Sequence, residues 1–393
     1  MRKKNCDGSG TRPRVLMVST FFEGHGGGLE IVASQFAREL VEAGYSLDWI
    51  ATDDPNPVTI PGATLHSLRG WNACEKATGL PIPLIGPMAI AKIARLTAQC
   101  DAVLIHDTLY STSIASYVIA KVLRRPIMLM MHLGGARFNN TAVTALYRIG
   151  ESLFTRPMLG GSDQVMFISD LIKNHFDGPL YHQPPIVTFA SIDDQLFYPP
   201  KTDSERSKLR STFGFGNKNT VLYVGRFVDS KGIMQIRDLA VSRPDLEFAL
   251  AGWGPIDPRD WKLPNIRVFT SLSRNEISDL YRASDVFVLL SISESLSLVV
   301  REALACGLPV VCGPKIALTD SSISILLNQI PVRPESEIFY VEDISSAIDS
   351  ALKRKVDTDL VSGIIRNKYG REQLRSKLTL SFNNAMRART TCI

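Results

Sequence analysis

Cysteine is scarce and unpaired in pattern. The six in 393 residues are Cys6, Cys74, Cys100, Cys306, Cys312 and Cys392, with no CxxC pair and no histidine cluster beside them. That excludes a zinc ribbon and a dithiol redox motif. Cys306 and Cys312 fall in apolar helix and strand patterns, where a reduced core thiol is expected. Long apolar runs are missing too: none approaches the roughly 18 residues that cross a bilayer. The N-terminus is basic (Arg2, Lys3, Lys4, Arg12, Arg14), but the stretch from Asn5 to Arg14 is polar. No signal peptide is therefore expected, and the basic run reads as a solvated tail. Net charge is small, +5. It suits anionic substrates or a membrane surface and is too weak to indicate nucleic acid as a partner. A cytoplasmic protein is the expectation.

What is present is ordinary globular composition, 45% hydrophobic and 21% charged, over a length that calls for two domains rather than one core. RVLMVST (14–20) reads as a buried strand; a glycine-rich loop, the helical LEIVASQFARELVEAG and the strand YSLDWIAT follow it. DAVLIHD (101–107), PIMLMMH (126–132) and QVMFIS (164–169) continue the series. A second series runs NTVLYVGR (219–226), LEFALAG (246–252), IRVFTS (266–271), DVFVLLS (285–291) and LPVVCG (308–313). Such alternation implies parallel sheets covered by helices. The expected fold is α/β, two Rossmann-like doubly wound domains in tandem: 1–198, then 199–372 after the break at Pro199-Pro200, then a terminal helical segment, 373–393, able to return to the first domain.

Ligands of such sheets bind beyond the carboxyl ends of the strands, and the chemistry-bearing motifs follow strands. EGHGGG (23–28) puts glycines between a first strand and a helix, where backbone can approach a phosphate or sugar; its spacing is not GxGxxG, and no Walker lysine follows. GRFVDSKG (225–232) carries Arg226 and Lys231, two cations suited to a diphosphate, with only Asp229 as an obvious acidic neighbour. SISESLSLVVREALACGLPVV (291–311) combines a turn with a helix that lacks a capping box, leaving the amides of Ser297 and Leu298 for a phosphate. Glu294, before that helix, and Glu302, in its second turn, each suit vicinal hydroxyls. Solvated surface charges are the plain alternative for all four ionised groups.

The Glu-x7-Glu stretch resembles the signature of the retaining family-4 glycosyltransferases with the GT-B fold, two such domains facing a cleft. GRFVDSKG resembles that family's phosphate motif, AGWGP (251–255) its Gly-x-Gly-Pro turn, FASIDDQLFYPP its interdomain pattern and EGHGGG its glycine-rich acceptor-side loop. The resemblance implies that Arg226 and Lys231 bind the donor diphosphate and that Glu302 holds the ribose hydroxyls. It further implies that Glu294 contacts the transferred sugar, with Gly27, Gly28, Gly254, Ser297 and Leu298 lining the donor site. His132, ending PIMLMMH, resembles the strand-end histidine facing the donor sugar, so His132 and Glu294 are the catalytic candidates. His106 and His25 are acceptor-side candidates; His66, His175 and His182 have no motif around them and read as structural. The sequence departs from the family at Ser297, where a glycine is usual, at Trp253 and at Ala190-Ser191, none of which removes a charged group.

The function implied is transfer of a hexose from a nucleoside-diphosphate sugar to a hydroxyl of a carbohydrate or lipid-linked acceptor in polysaccharide, lipopolysaccharide or glycoconjugate synthesis. It would proceed with retention by front-face attack, the donor phosphate acting as base. No cofactor and no metal are expected, since Asp53-Asp54 and Asp193-Asp194 are adjacent rather than DxD. The alternatives are a nucleotide-sugar epimerase or sugar-phosphate synthase on the same fold, or a non-catalytic nucleotide-sugar binder. PMAIAKIARLTAQC (87–100) and SYVIAKVLRRP (116–126) mix apolar positions with Lys92, Arg95, Lys121, Arg124 and Arg125, a pattern compatible with peripheral membrane contact and equally with helices packed on a sheet.

Overall fold

Continuous apolar runs such as AVLIH and IMLMM cannot alternate between a core and water, so they settle as central strands covered on both faces. The computed structural model describes residues 12–25, 28–52, 59–71, 83–136, 141–178, 181–291, 294–331, 339–354 and 357–390. Gly27, the Asp53-Asp54 pair, Cys6, Cys74, Cys392 and the basic residues Arg2, Lys3 and Lys4 lie outside them. Two compact units divide the chain: Met1–Ala190 with Leu374–Ile393, and Ser191–Gln373.

The first unit is built on strands β1 (Arg14–Val18), β2 (Ser46–Thr52), β3 (Ala63–Leu68), β6 (Ala102–His106), β7 (Ile127–Met131), β8 (Gln164–Phe167) and β9 (Ile186–Val187). A small antiparallel ribbon, β4 (Gly70–Trp71) with β5 (Leu84–Ile85), stands apart from them. The large sheet runs β3-β2-β1-β6-β7-β8-β9, with every pairing parallel. Strand order therefore reverses direction between β1 and β6, the switch point where doubly wound sheets open a crevice. All residues of β6 and β7 are buried; each large apolar side chain so covered contributes about 1.5–3 kcal/mol. β3 was not legible in the sequence because its half-exposed pattern at the sheet edge lacks a strong apolar run.

The terminal helix Arg371–Thr390 belongs for most of its length to this unit. Arg375 pairs with Glu39 at 2.9 Å, Arg389 with Asp163 at 3.0 Å, and Asn384 donates to Gln164 Oε1 at 2.8 Å. Phe382 packs on Tyr45, ring centroids 4.8 Å apart.

The second unit repeats the plan with β10 (Thr220–Arg226), β11 (Glu247–Trp253), β12 (Ile266–Phe269), β13 (Val286–Leu289), β14 (Val310–Cys312) and β15 (Leu327–Gln329). Its order is β12-β11-β10-β13-β14-β15, again all parallel, with the switch point between β10 and β13. Cys100, Cys306 and Cys312 are buried free thiols. No helix among the described residues is long and apolar enough to cross a membrane.

Candidate functional site

In the second unit the candidate donor residues gather at the β10/β13 switch point. After β10 the chain makes a short turn, Asp229–Lys231, and then passes through Gly232 at φ +76°. A Cβ at Gly232 would stand 2.4 Å from the Cβ of Leu290 and 2.7 Å from its carbonyl oxygen. Only glycine lets the loop cross the end of β13 this closely. The crossing brings Lys231 Nζ onto Glu294 Oε1, and Glu294 also accepts from Ser291 Oγ at 2.9 Å. The expectation that Lys231 has only Asp229 as an acidic neighbour is thereby corrected: its partner is Glu294, which the sheet topology delivers and sequence proximity does not.

Arg226, the last residue of β10, is exposed and makes no ion pair among the described residues. Its guanidinium lies 5.0 Å from the ring centroid of Trp253, the last residue of β11. The tryptophan that departs from the family's usual residue thus supplies a flat support for the cation. At Gly254 a Cβ would meet the Phe227 carbonyl oxygen at 2.4 Å and its nitrogen at 2.7 Å. Close backbone packing therefore requires that glycine, whatever else binds there.

The helix Leu298–Ala305 starts at Ser297 with no side-chain cap, and Ser297 Oγ is buried without a partner among the described residues. The first amides of this helix, with the positive end of its dipole, form a ready anion site. Glu302 is largely buried in the second turn; the hydroxyl of Tyr281 stands at 3.4 Å and Arg274 at 3.7 Å. Burial raises the Glu302 pKa, and Arg274 and Tyr281 partly offset that rise. Neither Tyr281 nor Arg274 was singled out from sequence; both precede β13 on the helix Arg274–Ala283, whose exposed start carries a complete capping box of Ser273 and Glu276.

In the first unit the strand ends carry different chemistry. His132 follows β7, nearly buried, with Nε2 2.8 Å from Nδ1 of His106. Burial pushes His132 down to about 3, and burial together with His132 pushes His106 well below the ordinary histidine range. Both rings are therefore neutral near pH 7 and share one N–H, which leaves Nδ1 as the ring nitrogen of His132 not used by the pair. His106 is wholly buried, edge-on to Phe36 at 5.3 Å. The acceptor-side candidate His106 is thus placed inside the unit, with its Nδ1 on the ring of His132. His25 is exposed and stacks on Phe21 at 3.9 Å. Gly28 begins the first helix, Gly28–Glu42, with open space where a Cβ would be. His66 pairs with Asp48 at 2.7 Å and His175 with Glu151 at 3.3 Å.

Asp107, the residue after His106 and the last of DAVLIHD, carries no motif that marks it in the sequence. It adopts φ +57° and its Oδ1 accepts from the backbone N–H groups of His132 (2.8 Å) and Leu133 (3.3 Å). Those bonds clamp the exit of β7. Burial, with Glu30 nearby, raises its pKa to about 7 against the two backbone donors. Among the described residues no group of three or more His, Cys, Asp or Glu is arranged to hold a metal ion.

Two family models match the chain in series: Glycosyltransferase Family 4 over residues 26–185 and Glycosyl transferases group 1 over residues 205–357. The sulfoquinovosyl transferase of Arabidopsis thaliana is 27% identical over 70% of this chain and 54% of its own length. The GDP-mannose-dependent alpha-(1-6)-phosphatidylinositol monomannoside mannosyltransferase of Mycolicibacterium smegmatis is 26% identical over 76% of this chain and 80% of its own. The chain thus spans about half of the first relative and four-fifths of the second. Among solved structures, sucrose-phosphate synthase from Thermosynechococcus elongatus superimposes with a TM-score of 0.70 at 16% identity, over 96% of this chain and 100% of the other. Anabaena HepE in complex with UDP and glucose gives 0.69 at 16% identity, over 94% and 99%. At such identities the likeness is of fold. With two parallel doubly wound units of that fold, and both family models accounted for in order, the chain belongs to the family-4 and group 1 glycosyltransferases of the GT-B fold.

Proposed function

We propose that the protein moves a hexose from a nucleoside-diphosphate sugar, bound by the second unit, to a hydroxyl of an acceptor bound by the first, with retention at the anomeric carbon. The single observation that carries the reading is the β10/β13 switch point. There Arg226, Lys231 and the uncapped start of the helix Leu298–Ala305 supply positive potential, with Glu294 and Glu302 before and within that helix. Charge building on a leaving diphosphate is offset by such fixed cations and amides, and no metal is assigned a part. Glu302 takes the ribose hydroxyls. Glu294 faces the transferred sugar, and Lys231 moves between Glu294 and phosphate as the donor binds. In the first unit His132, held neutral by burial, offers a hydrogen-bonding ring to the sugar rather than a charge.

A relative named as a phosphatidylinositol monomannoside mannosyltransferase supports a lipid-linked acceptor in glycoconjugate synthesis. Peripheral contact with a membrane draws support from the exposed apolar residues Met88, Val118 and Val122 beside Arg95 and Arg124. The other cations of that pattern serve the fold: Lys92, Lys121 and Arg125 donate to the carbonyls of Ser67, Gly161 and Ala98. Thermal-shift titration with UDP, GDP and ADP, free and as hexose conjugates, tests the donor assignment. A rise in Tm with one nucleotide series is expected and names the base; no rise with any of them overturns the reading.

A further inference from the structure

Two consecutive residues at the end of β6, His106 and Asp107, are both turned on one residue of the neighbouring strand exit, His132. Along a strand, successive side chains point to opposite faces. Asp107 departs from that alternation by leaving the strand at φ +57°, a region open to aspartate, asparagine and glycine and to few others. Its N–H still donates to the Met130 carbonyl at 2.8 Å, while its carboxylate swings across the end of β7. There Oδ1 accepts from the N–H groups of His132 at 2.8 Å and Leu133 at 3.3 Å. Backbone held in such a region persists where its surroundings over-determine it, and these positions cluster at functional sites.

His106 acts on the same residue through the ring. It is wholly buried, its Nδ1 stands 2.8 Å from His132 Nε2, and its own Nε2 has no partner among the described residues. An apolar side chain would pack in that place at lower desolvation cost. The bond to His132 is therefore what a histidine adds there.

That bond couples the two rings. Burial keeps both neutral near pH 7, so each carries a single N–H. If His106 Nδ1 donates, His132 Nε2 accepts and the His132 proton sits on Nδ1. If His132 Nε2 donates, His106 Nδ1 accepts and the His106 proton sits on Nε2. Either way both rings protonate the same-named nitrogen, and the state of His132 Nδ1 follows from its partner ring. His132 Nδ1 makes no hydrogen bond among the described residues and, unlike His106 Nε2, is not sealed from solvent.

We propose that His106 and Asp107 are positioning residues for His132. Asp107 fixes the backbone at the exit of β7; His106 fixes the ring and which of its nitrogens carries the proton. The inference rests on the reading of His132 as the ring that faces the transferred sugar. It adds that the open nitrogen meets the sugar in one fixed hydrogen-bonding role rather than as a mixture of donor and acceptor.

The test uses the full chain labelled with nitrogen-15, near pH 7. Two-bond proton–nitrogen NMR correlations separate the Nδ1–H and Nε2–H forms of each imidazole, and amide exchange reads the backbone clamp. In the unaltered protein both rings are expected in one and the same neutral tautomer. Different tautomers on the two rings, or a His132 that averages both forms, would overturn the proposal. His106→Leu is close in volume and removes the partner of Nε2, so His132 is expected to average the two forms. Asp107→Gly keeps the left-handed backbone accessible and removes the acceptor. Exchange of the His132 amide is then expected to rise about tenfold, and the ring to lose its single tautomer. Asp107→Asn keeps an acceptor oxygen and tolerates the same φ; it is expected to restore both signatures. A His132 tautomer and amide unchanged in His106→Leu and Asp107→Gly would show residues that only pack, and would overturn the proposal. If either variant does not fold, the tautomers of the unaltered protein still decide.

The sugar-facing reading is checked on the same samples with UDP-glucose against UDP, GDP-mannose against GDP and ADP-glucose against ADP. It expects a shift at His132 Nδ1 that a hexose produces and the diphosphate alone does not. No such shift, with the tautomers as expected, would remove that reading and leave the positioning pair standing.

Discussion

The two units share one order over six strands, to which the first adds β9, and differ in what stands at the open end of the sheet. In the second, the switch point is charged and partly wet: an exposed Arg226 on Trp253, a Lys231–Glu294 pair, and a helix start without a cap. In the first, it is buried and largely apolar: two histidines sharing a hydrogen bond, an aspartate whose pKa burial has raised, and a cavity with a mostly hydrocarbon wall beside them. A common strand order thus ends in a charged cluster in one case and in buried neutral rings beside an apolar cavity in the other. The fold chooses where a ligand sits; the side chains at a handful of strand ends choose which ligand.

Substitutions sharpen that contrast, beginning with the charged end. Lys231→Ala removes a cation and leaves Glu294, 12% exposed, without its ionic partner. A fall in kcat of about a hundredfold or more is expected, with a stability cost of about 1–2 kcal/mol, below the 3–5 of a fully buried pair. Glu302→Ala is expected to weaken nucleotide binding, and Glu294→Ala to lower turnover more than affinity. Steady-state kinetics with nucleotide titration separates these, and equal negligible effects from both glutamates would undo their assignment.

The neutral end gives a pH signature. The Asp107 pKa is raised from 3.8 in the ordinary state to about 7. A raised pKa means that the folded state binds this proton more tightly than the unfolded one. The stabilising contribution is complete below pH 4 and is lost as pH rises through about 7, by at most about 1.4 kcal/mol per pH unit. Glu30, Tyr110 and Tyr147 are the titratable groups that face Asp107, and burial keeps both tyrosines neutral over this range. Asp107→Asn does not titrate, so the Tm of the variant relative to the parent is expected to climb between pH 5 and pH 8. A difference independent of pH would contradict the buried neutral acid.

The smallest effect belongs to the surface. Val122→Glu, at a residue 74% exposed, is expected to reduce sedimentation with anionic vesicles at low salt two- to threefold with stability unchanged. No sedimentation of the parent protein under those conditions would dismiss membrane contact.

Much of this was readable in the residues. Ten strands announced themselves through apolar runs because parallel strands are buried on both faces. The charged donor candidates were visible because glycines, cations and carboxylates recur directly after those runs. The weak strands β3, β9 and β15 escaped: an edge or a two- to three-residue strand buries too little to leave a pattern. Lys231 and Glu294 were each named without being recognised as a pair, since 63 residues separate them and only the β10/β13 adjacency brings them together. Asp107 is not legible in the sequence, because nothing local distinguishes a buried carboxyl from a solvated one.

Sequence alone determined the two-fold α/β plan and the identity of the polar residues at strand ends, because periodicity and glycine placement are local properties of the chain. Tertiary structure decided which of those residues are charged, paired or hidden. It buried His106 against the ring of His132, and it set Asp107 at the wall of a largely apolar cavity. The physical reason is that desolvation and pairing depend on neighbours distant in the chain, and the parallel crossovers settle those neighbours only when the sheet is complete.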